Sequence, residues 1–313
     1  MDYSPKIVKI ESAFDFMKIA YENIRANIDS GDRGYIQFYR GQSNSEWSVT
    51  PSIERRPNGN LSSFEGKLVQ EFISKRPDEF QHLISPFNTV AKMQHHGMVT
   101  RLLDMTSSPA VSLYFACCND FDKDGEIYLF RTNREEILSI KELDAIIDFY
   151  WGEVNKNKSV FFEKCIRNFR KEQYENIFYF LIANSPMAAT TEWISERMRR
   201  QNSYFLILPF KAVNSSWVKE REQGEGLWSF VRKHGFEKCF LETNFVNTIE
   251  DAKDMLIKFH QDGNRYIVKA SSKKEILRQL HSIGVSESTL FPELEYEGKR
   301  IVNEYLYLTG QSD

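Results

Sequence analysis

The sequence predicts a mixed α+β fold, and three observations lead to that prediction. Short alternating or continuous apolar runs, which are typical of strands, occur at residues 35–39, 99–105, 126–130, 203–210 and 265–270. Longer segments between them carry apolar residues at helical spacing. Finally, an apolar content of 41% in 313 residues is enough to bury a sizeable core.

Capping patterns mark the helices in order. A side-chain cap or capping box is predicted at Ser12 with Asp15, Ser62 with Glu65, Ser108 with Pro109, and Ser272 with Glu275. A further helix is expected from Pro86 to a terminating Gly97, and Gly284 follows the last helix. After the strand at 35–39, Arg40 and Gly41 are expected in a turn.

The chain is predicted to form one domain over residues 1–313, with an N-terminal helix within 1–30. Residues 133–200 are rich in charged and aromatic residues at helical spacing. No Pro/Gly/Ser-rich linker flanks this segment, so we expect a helical insertion within the domain rather than a second domain.

Charge and composition narrow the function classes. A net charge of -3 and a pI near 6.1 provide no broad basic field for a nucleic-acid duplex. The N-terminus has no pattern of a signal peptide or anchor, and no apolar run is long enough to span a membrane. The four scattered cysteines favour a reduced, cytoplasmic interior.

Metal and nucleophile chemistry are weakly supported. His95 and His96 are adjacent, so on a helix they point about 100° apart and cannot share one ion. Cys117 and Cys118 fall in an apolar helix pattern, where they are expected to pack, and no G-x-S-x-G turn occurs. No metal site is predicted.

An anion site is better motivated at two places. The loop 104–108 opens a helix, so its free N–H groups, with the hydroxyls of Thr106 and Ser108, suit a phosphate; ordinary capping explains the same residues equally well. Arg40 is suited to a phosphate or carboxylate, with Gly41 allowing close approach of a ligand. Alternatively, Arg40 pairs with Asp104 as a structural ion pair.

Four segments together carry a family resemblance. They are YRGQSNSEWSVTPSIER at 39–55, QHHGMVTRLLDMTSSPAVSLYFAC at 94–117, ERMRRQNSYFLI at 196–207 and LFPELEYEGKRI at 290–301. This set resembles the FRG domain family, named for a Phe-Arg-Gly motif that reads Tyr39-Arg40-Gly41 here. The resemblance spans roughly residues 30–300, and the part around His96 to Asp104 is the most specific.

The resemblance implies a divergent ADP-ribosyltransferase-like fold, in which a split β-sheet core with surrounding helices holds NAD in a cleft. It also implies an enzyme that uses NAD as its substrate, transferring ADP-ribose to a macromolecular acceptor or hydrolysing NAD. A bacterial or phage-type toxin or defence effector would use such an activity. No membrane partner is expected, because no apolar run is long enough to span a membrane.

By the same resemblance, cofactor-binding residues are expected at Arg40, Gly41, Gln42, His96, Gly97, Thr100, Arg101, Thr106, Ser108 and Gln201, with Arg197 nearby. Arg40, Asp104 and a late carboxylate would carry catalysis, because cleavage of the glycosidic bond builds positive charge on the ribose. Glu293 is preferred for that carboxylate, since an acidic residue follows Phe-Pro in the family. Glu295 is the alternative, and in an extended segment only one of the two faces the cleft.

Two other function classes remain open. The chain could be a catalytically inactive module on the same fold that binds a nucleotide or a protein. A nucleic-acid processing protein is the weaker third possibility.

Overall fold

The structure, a computed structural model, describes residues 6–29, 34–55, 61–80, 85–134, 137–151, 164–171, 173–174, 177, 187–189, 192, 195–207 and 264–292. These residues form a mixed sheet with helices packed on it, which confirms the predicted α+β class. The extent of the single domain is not tested and stays a prediction.

The sheet has seven strands in the order β1-β7-β4-β2-β3-β6-β5. Their bounds are Ile7–Ile10 for β1, Tyr35–Gln42 for β2, Leu102–Thr106 for β3, Gly125–Asn133 for β4, Met187–Ala189 for β5, Ser203–Ile207 for β6 and Arg265–Val268 for β7. Strands β1 and β7 are parallel. The other neighbours pair antiparallel.

One junction in the sheet is much weaker than the others. Strands β2 and β4 pair along the whole of β2, from Tyr35 opposite Asn133 to Gln42 opposite Glu126. Among the described residues, β2 and β3 are in register at Tyr39 and Thr106 alone. The sheet therefore consists of two well-paired halves, β1-β7-β4-β2 and β3-β6-β5, joined at one point.

Nine helices longer than a single 3₁₀ turn can be delimited in the described part of the chain. They are α1 (Ala13–Asp29), α2 (Glu65–Lys75), α3 (Pro77–Phe80), α4 (Pro86–His95), α5 (Pro109–Cys117), α6 (Ile140–Trp151), α7 (Glu196–Arg200), α8 (Lys273–Ser282) and α9 (Glu287–Leu290). Short 3₁₀ turns occur at Ser52–Glu54, Leu61–Phe64 and Ala270–Ser272.

Two groups of helices cover the same face of the sheet. Helices α1, α5 and α8 pack on the half that contains Tyr39, whereas α4 and α6 pack on the half that contains Leu102. Side chains alternate along a strand, and Tyr39 lies opposite Thr106, so Tyr39, Thr106 and Leu102 share one face. The opposite face carries a smaller cluster with Phe38 and Met105.

Several predicted helix ends are confirmed. Ser12 Oγ accepts from Asp15 N at 3.1 Å, and Ser108 Oγ accepts from Val111 N at 3.4 Å. Helix α4 begins at Pro86 and is followed by Gly97 at φ 84°. Gly284, at φ 86°, follows α8. Glycine takes this left-handed conformation without a steric cost.

The two predicted capping boxes are wrong. Helix α2 has Phe64 at its N-cap position, without a side-chain cap, and the Glu65 carboxylate instead accepts from Arg101 Nε at 2.7 Å. Ser272 makes no side-chain cap on α8, and Glu275 accepts from Arg278 and Gln279. Glu65 thus pairs with a residue 36 positions away, and Glu275 with side chains one turn further along its own helix.

Three boundaries also differ from the prediction. Residues 1–30 contain a strand, β1, ahead of helix α1. The segment 133–200 is not wholly helical, because it contributes β5, which pairs with β6 at the sheet edge. Arg40 and Gly41 lie inside β2 rather than in a turn, since β2 continues to Gln42 opposite β4.

A membrane-spanning helix is not found among the described residues, because none of their helices is both long and apolar enough.

Candidate functional site

A cavity of about 230 Å³ lies beside the weak junction of the sheet, lined by residues of β2, β3 and β6 and of helices α4, α5 and α7. Six of its lining residues were expected at the site from the sequence: Arg40, Gly41, Asp104, Thr106, Arg197 and Gln201. The other nine are Tyr39, Ala91, Gln94, His95, Met105, Phe115, Met198, Ser203 and Phe205.

Arg40 bridges the two half-sheets. Its Nη1 donates to the main-chain oxygen of Asp104 at 2.7 Å, and its Nε donates to Gln42 Oε1 at 3.3 Å. Burial lowers the pKa of the half-buried guanidinium to about 10, although the negative charge of Asp104 opposes this shift. Arg40 therefore keeps its positive charge at neutral pH while bonded to neutral acceptors.

The expected alternative of an Arg40–Asp104 ion pair does not match this geometry, because the Asp104 carboxylate is directed elsewhere. Its Oδ1 accepts from Gln94 Nε2 at 2.7 Å. Asp104 is exposed and lines the cavity. Burial lowers the pKa of Arg55, and the negative charge of Asp104 opposes that shift. Asp104 therefore interacts electrostatically with the guanidinium groups of both Arg40 and Arg55.

Gly41 and Gln42 have mainly structural roles. A Cβ atom on Gly41 would lie 1.8 Å from the main-chain oxygen of Ser112, so glycine is needed here because helix α5 packs directly on β2. Packing alone therefore explains the glycine, and the expected role of Gly41 in the approach of a ligand stays a prediction. Buried Gln42 accepts from Arg40 and donates to Trp47 O at 3.2 Å.

The loop before α5 uses its hydroxyl groups internally. Thr106 Oγ1 donates to Gln201 O at 2.7 Å and accepts from Ser108 N at 3.0 Å. Ser108 caps the helix. Two interpretations of this loop were open, an anion site and ordinary helix capping, and its hydrogen bonds are those of helix capping. Thr106 nevertheless lines the cavity.

Six predicted cofactor-binding residues are not part of the cavity lining: Gln42 and Ser108, described above, and four residues between 96 and 101. His96 and Gly97 lie exposed at the end of α4, and His95 lines the cavity in place of His96. Thr100 is buried and donates to Gln94. Arg101, with 2% of its surface exposed, forms a buried ion pair with Glu65. This geometry points to a structural role for Arg101, and its expected role in cofactor binding stays a prediction.

On the remaining side of the cavity, α7 and the residue after it contact Leu290 and Phe291, at the end of α9. Arg197 lies over the Phe291 ring, with its Cζ 4.5 Å from the ring centroid. Gln201 Nε2 donates to Leu290 O at 3.2 Å. Phe291 also packs edge-on against Phe115, with ring centroids 6.1 Å apart. Glu293 and Glu295 lie outside the described residues, but Phe291, two residues before Glu293, contacts two residues of the cavity wall.

Gln94 is the functional candidate that the sequence analysis missed, although a signal was present. Phe87, Val90 and Ala91 form the buried stripe of α4, and Gln94 continues that stripe at the i+7, i+4 and i+3 positions. A polar residue on an apolar stripe needs a buried partner. Tyr39 and Phe115 gave no comparable signal, because aromatic residues in buried elements are ordinary core.

Cys117 and Cys118 behave as expected for packing residues. Burial raises the pKa of the Cys117 thiol to about 12 and that of Cys118 to about 11, which makes the reactive thiolate rare at neutral pH. Among the described residues, no group of His, Cys, Asp and Glu side chains is arranged to hold a metal ion.

Comparison with known proteins gives one match. Residues 36–125 match the family model of the FRG domain, and this confirms the resemblance for the segment that contains β2, α4, β3 and α5. No curated protein matches the chain. No solved structure matches it.

Proposed function

We propose, on the premise of the FRG domain that residues 36–125 match, that the cavity binds NAD. The protein would then transfer ADP-ribose to a macromolecular acceptor or hydrolyse NAD. The observation that carries this proposal is the meeting of Arg40 and Asp104 in one cavity at the joint of two half-sheets. A cleft in a split sheet is the arrangement that the ADP-ribosyltransferase resemblance implies.

The chemistry of the cavity suits one end of a dinucleotide. Its volume of about 230 Å³ lies below the roughly 300–1,000 Å³ of pockets that enclose a drug-sized ligand. The cavity therefore receives part of NAD, and the rest extends outside. Phe115 and Phe205 offer apolar surface to the nicotinamide ring, whereas Arg40 and Arg197 supply positive charge for the diphosphate.

The proposed reaction breaks the bond between ribose C1′ and the nicotinamide nitrogen. The bonding electrons leave with nicotinamide, and C1′ then accepts a lone pair from water or from the acceptor, which releases a proton. Positive charge develops on the ribose, so a preorganised carboxylate stabilises the transition state. Asp104 supplies one carboxylate in the cavity. Glu293, with Glu295 as the alternative, is proposed as the second.

Calorimetric titration with NAD tests the binding claim, and an NAD-consumption assay tests turnover. We expect wild-type protein to bind NAD and Arg40→Ala to bind it at least about tenfold more weakly, since a charge-assisted contact contributes about 1.5–3 kcal/mol. Arg278→Ala, which removes a guanidinium group that is 76% exposed on α8, is the matched control. Absence of wild-type binding at millimolar NAD would reject the proposal.

A catalytically inactive binding module on the same fold is the second candidate. The observation that favours it is the extensive internal use of the predicted site hydroxyls, which leaves Thr106 and Ser108 as structural groups. Glu293→Gln and Glu295→Gln separate the two candidates. If one of them abolishes NAD turnover while NAD still binds, the enzyme is supported; if wild type binds NAD without turnover, the module is supported.

The biological role follows from the first candidate only. A toxin or phage-defence effector that consumes NAD should arrest the growth of a bacterial host on expression, and Arg40→Ala should relieve the arrest.

A further inference from the structure

A chain of three side chains ends at the carboxylate of the cavity. The Thr100 hydroxyl donates to Gln94 Oε1, and Gln94 Nε2 donates to Asp104 Oδ1 at 2.7 Å. Gln94 and Asp104 line the cavity, and Thr100 lies buried behind them. The amide of Gln94 thus connects the protein interior to the only carboxylate among the described residues that line the cavity.

The far end of this chain is held firmly. Thr100 Oγ1 accepts from Leu102 N at 3.2 Å, so its own proton is free for Gln94. The Thr100 main chain is bound to the 3₁₀ turn Ser52–Glu54: Thr100 N donates to Ser52 Oγ at 2.9 Å, and Ile53 N donates to Thr100 O at 3.2 Å. A fixed hydroxyl donor at one end sets which way the amide of Gln94 faces.

That orientation has a chemical consequence for Asp104. An amide oxygen held by Thr100 places the NH₂ group of Gln94 against the carboxylate, and an ionised carboxylate only accepts hydrogen bonds. Within the described part of the chain, Oδ1 takes this bond, and Oδ2 has no hydrogen-bond partner from the protein. Asp104 therefore offers an oriented acceptor to a ligand.

We infer that Gln94 is a positioning residue that holds Asp104 as the subsite for the vicinal hydroxyls of a ribose. A carboxylate is suited to this class of ligand, because the two hydroxyls of a ribose both donate. The inference rests on the proposed function, in which the ribose belongs to NAD, and it adds the residue and the hydroxyl groups that the site selects.

Asp104 stands among several basic side chains, which must be kept constant in any test. Arg40 on β2 and Arg55 after the 3₁₀ turn both experience its charge. His95 on α4 and Arg197 on α7 line the same cavity. Substitution of the neutral Gln94 leaves these groups in place, so a change at Asp104 reports the lost hydrogen bond.

The first experiment needs no ligand and measures the ¹³C chemical shift of the Asp104 carboxyl carbon at neutral pH in the full-length protein. This signal responds to the hydrogen bond that the carboxylate accepts from Gln94. We expect it to shift in Gln94→Leu, which removes the donor, and to shift less in Thr100→Val, which removes the hydroxyl that orients the Gln94 amide and keeps the volume of the threonine side chain. Gln279→Leu on α8, whose amide oxygen accepts from Ala13 N, should leave the Asp104 signal unchanged.

The second experiment compares NAD with its analogue that lacks the 2′-hydroxyl of the nicotinamide ribose. Wild type should bind the analogue at least about fivefold more weakly, and Gln94→Leu should bind NAD and the analogue alike, since a hydrogen bond contributes about 1 kcal/mol. An unchanged carboxyl signal of Asp104 in both variants, or an equal analogue penalty in wild type and Gln94→Leu, would overturn the inference. Failure of wild type to bind NAD rejects the proposed function instead, and the carboxyl signal of Asp104 still decides the role of Gln94.

Discussion

Arg40 and Arg101 lie in the same FRG-domain segment, yet the structure surrounds them differently. Arg101 is 2% exposed, and its guanidinium meets the carboxylate of Glu65, which is itself buried. Arg40 is half-buried beside a cavity, and its hydrogen bonds go to a main-chain oxygen and an amide. By the family resemblance, both were expected to be cofactor-binding residues.

The contrast shows how the partner of an arginine separates stability from binding. A guanidinium group paired with a buried carboxylate has its charge neutralised within the protein, and removal of one partner leaves the other charge buried. A guanidinium group bonded to neutral acceptors keeps its net charge for an incoming anion. Arg101 belongs to the first kind and Arg40 to the second.

The largest expected effect is on Arg101. Arg101→Met should lower the free energy of unfolding by about 3–5 kcal/mol, because Glu65 is left as an uncompensated buried charge. Urea denaturation followed by circular dichroism measures this loss. The matched control is Glu65→Leu combined with Arg101→Met, which should regain most of the stability and still bind NAD. A loss below about 1 kcal/mol in the single variant would remove the distinction between the two arginines.

The corresponding change at Arg40 should be milder for folding. Arg40→Met removes hydrogen bonds to neutral groups at a half-buried position, so we expect a loss of about 1–2 kcal/mol in the free energy of unfolding. The same denaturation measurement applies. If Arg40→Met destabilises the protein as much as Arg101→Met does, Arg40 is a structural residue and the proposed site loses its main cation.

The smallest expected effect is at a partly exposed ion pair. Lys269 Nζ donates to Asp124 Oδ2 at 2.6 Å, and this bond lowers the pKa of Asp124 below its ordinary 3.8. The native state then binds fewer protons than the unfolded state, so the pair adds stability above about pH 4 that disappears as pH falls through the native pKa. Asp124→Asn should cost less than about 1 kcal/mol at neutral pH.

The pH dependence provides the check on that pair. The difference in unfolding free energy between wild type and Asp124→Asn should shrink between about pH 5 and pH 2. A difference that is independent of pH over this range would show that the pair does not act through its charge.

Local chemistry made parts of the fold predictable. Ser108, Pro109 and Gly97 specify the ends of α4 and α5 through bonds within a few residues, so the sequence alone placed them. Strand β1 has four residues and depends on pairing with β7, more than 250 residues later. Periodicity over so short a segment cannot identify a strand whose partner is remote.

The candidate site was also predictable only in part, because some of its contacts join residues that are far apart in the sequence. Arg40, Asp104 and Gln201 come from three separate segments, and the family resemblance grouped them correctly around one cavity. The pairing of Arg101 was not predicted because its partner, Glu65, is 36 positions away, and local spacing assigned Glu65 to a helix cap. Long-range pairing of charged groups is what the sequence leaves undetermined.

The single registered pair between β2 and β3 also has a mechanical consequence. Rotation of one half-sheet against the other about Tyr39 and Thr106 would break few main-chain hydrogen bonds, whereas bending between β2 and β4 would break a whole ladder. The junction is thus the most compliant line across the sheet. The cavity lies along that line, so its width can adjust to a ligand while each half-sheet stays rigid.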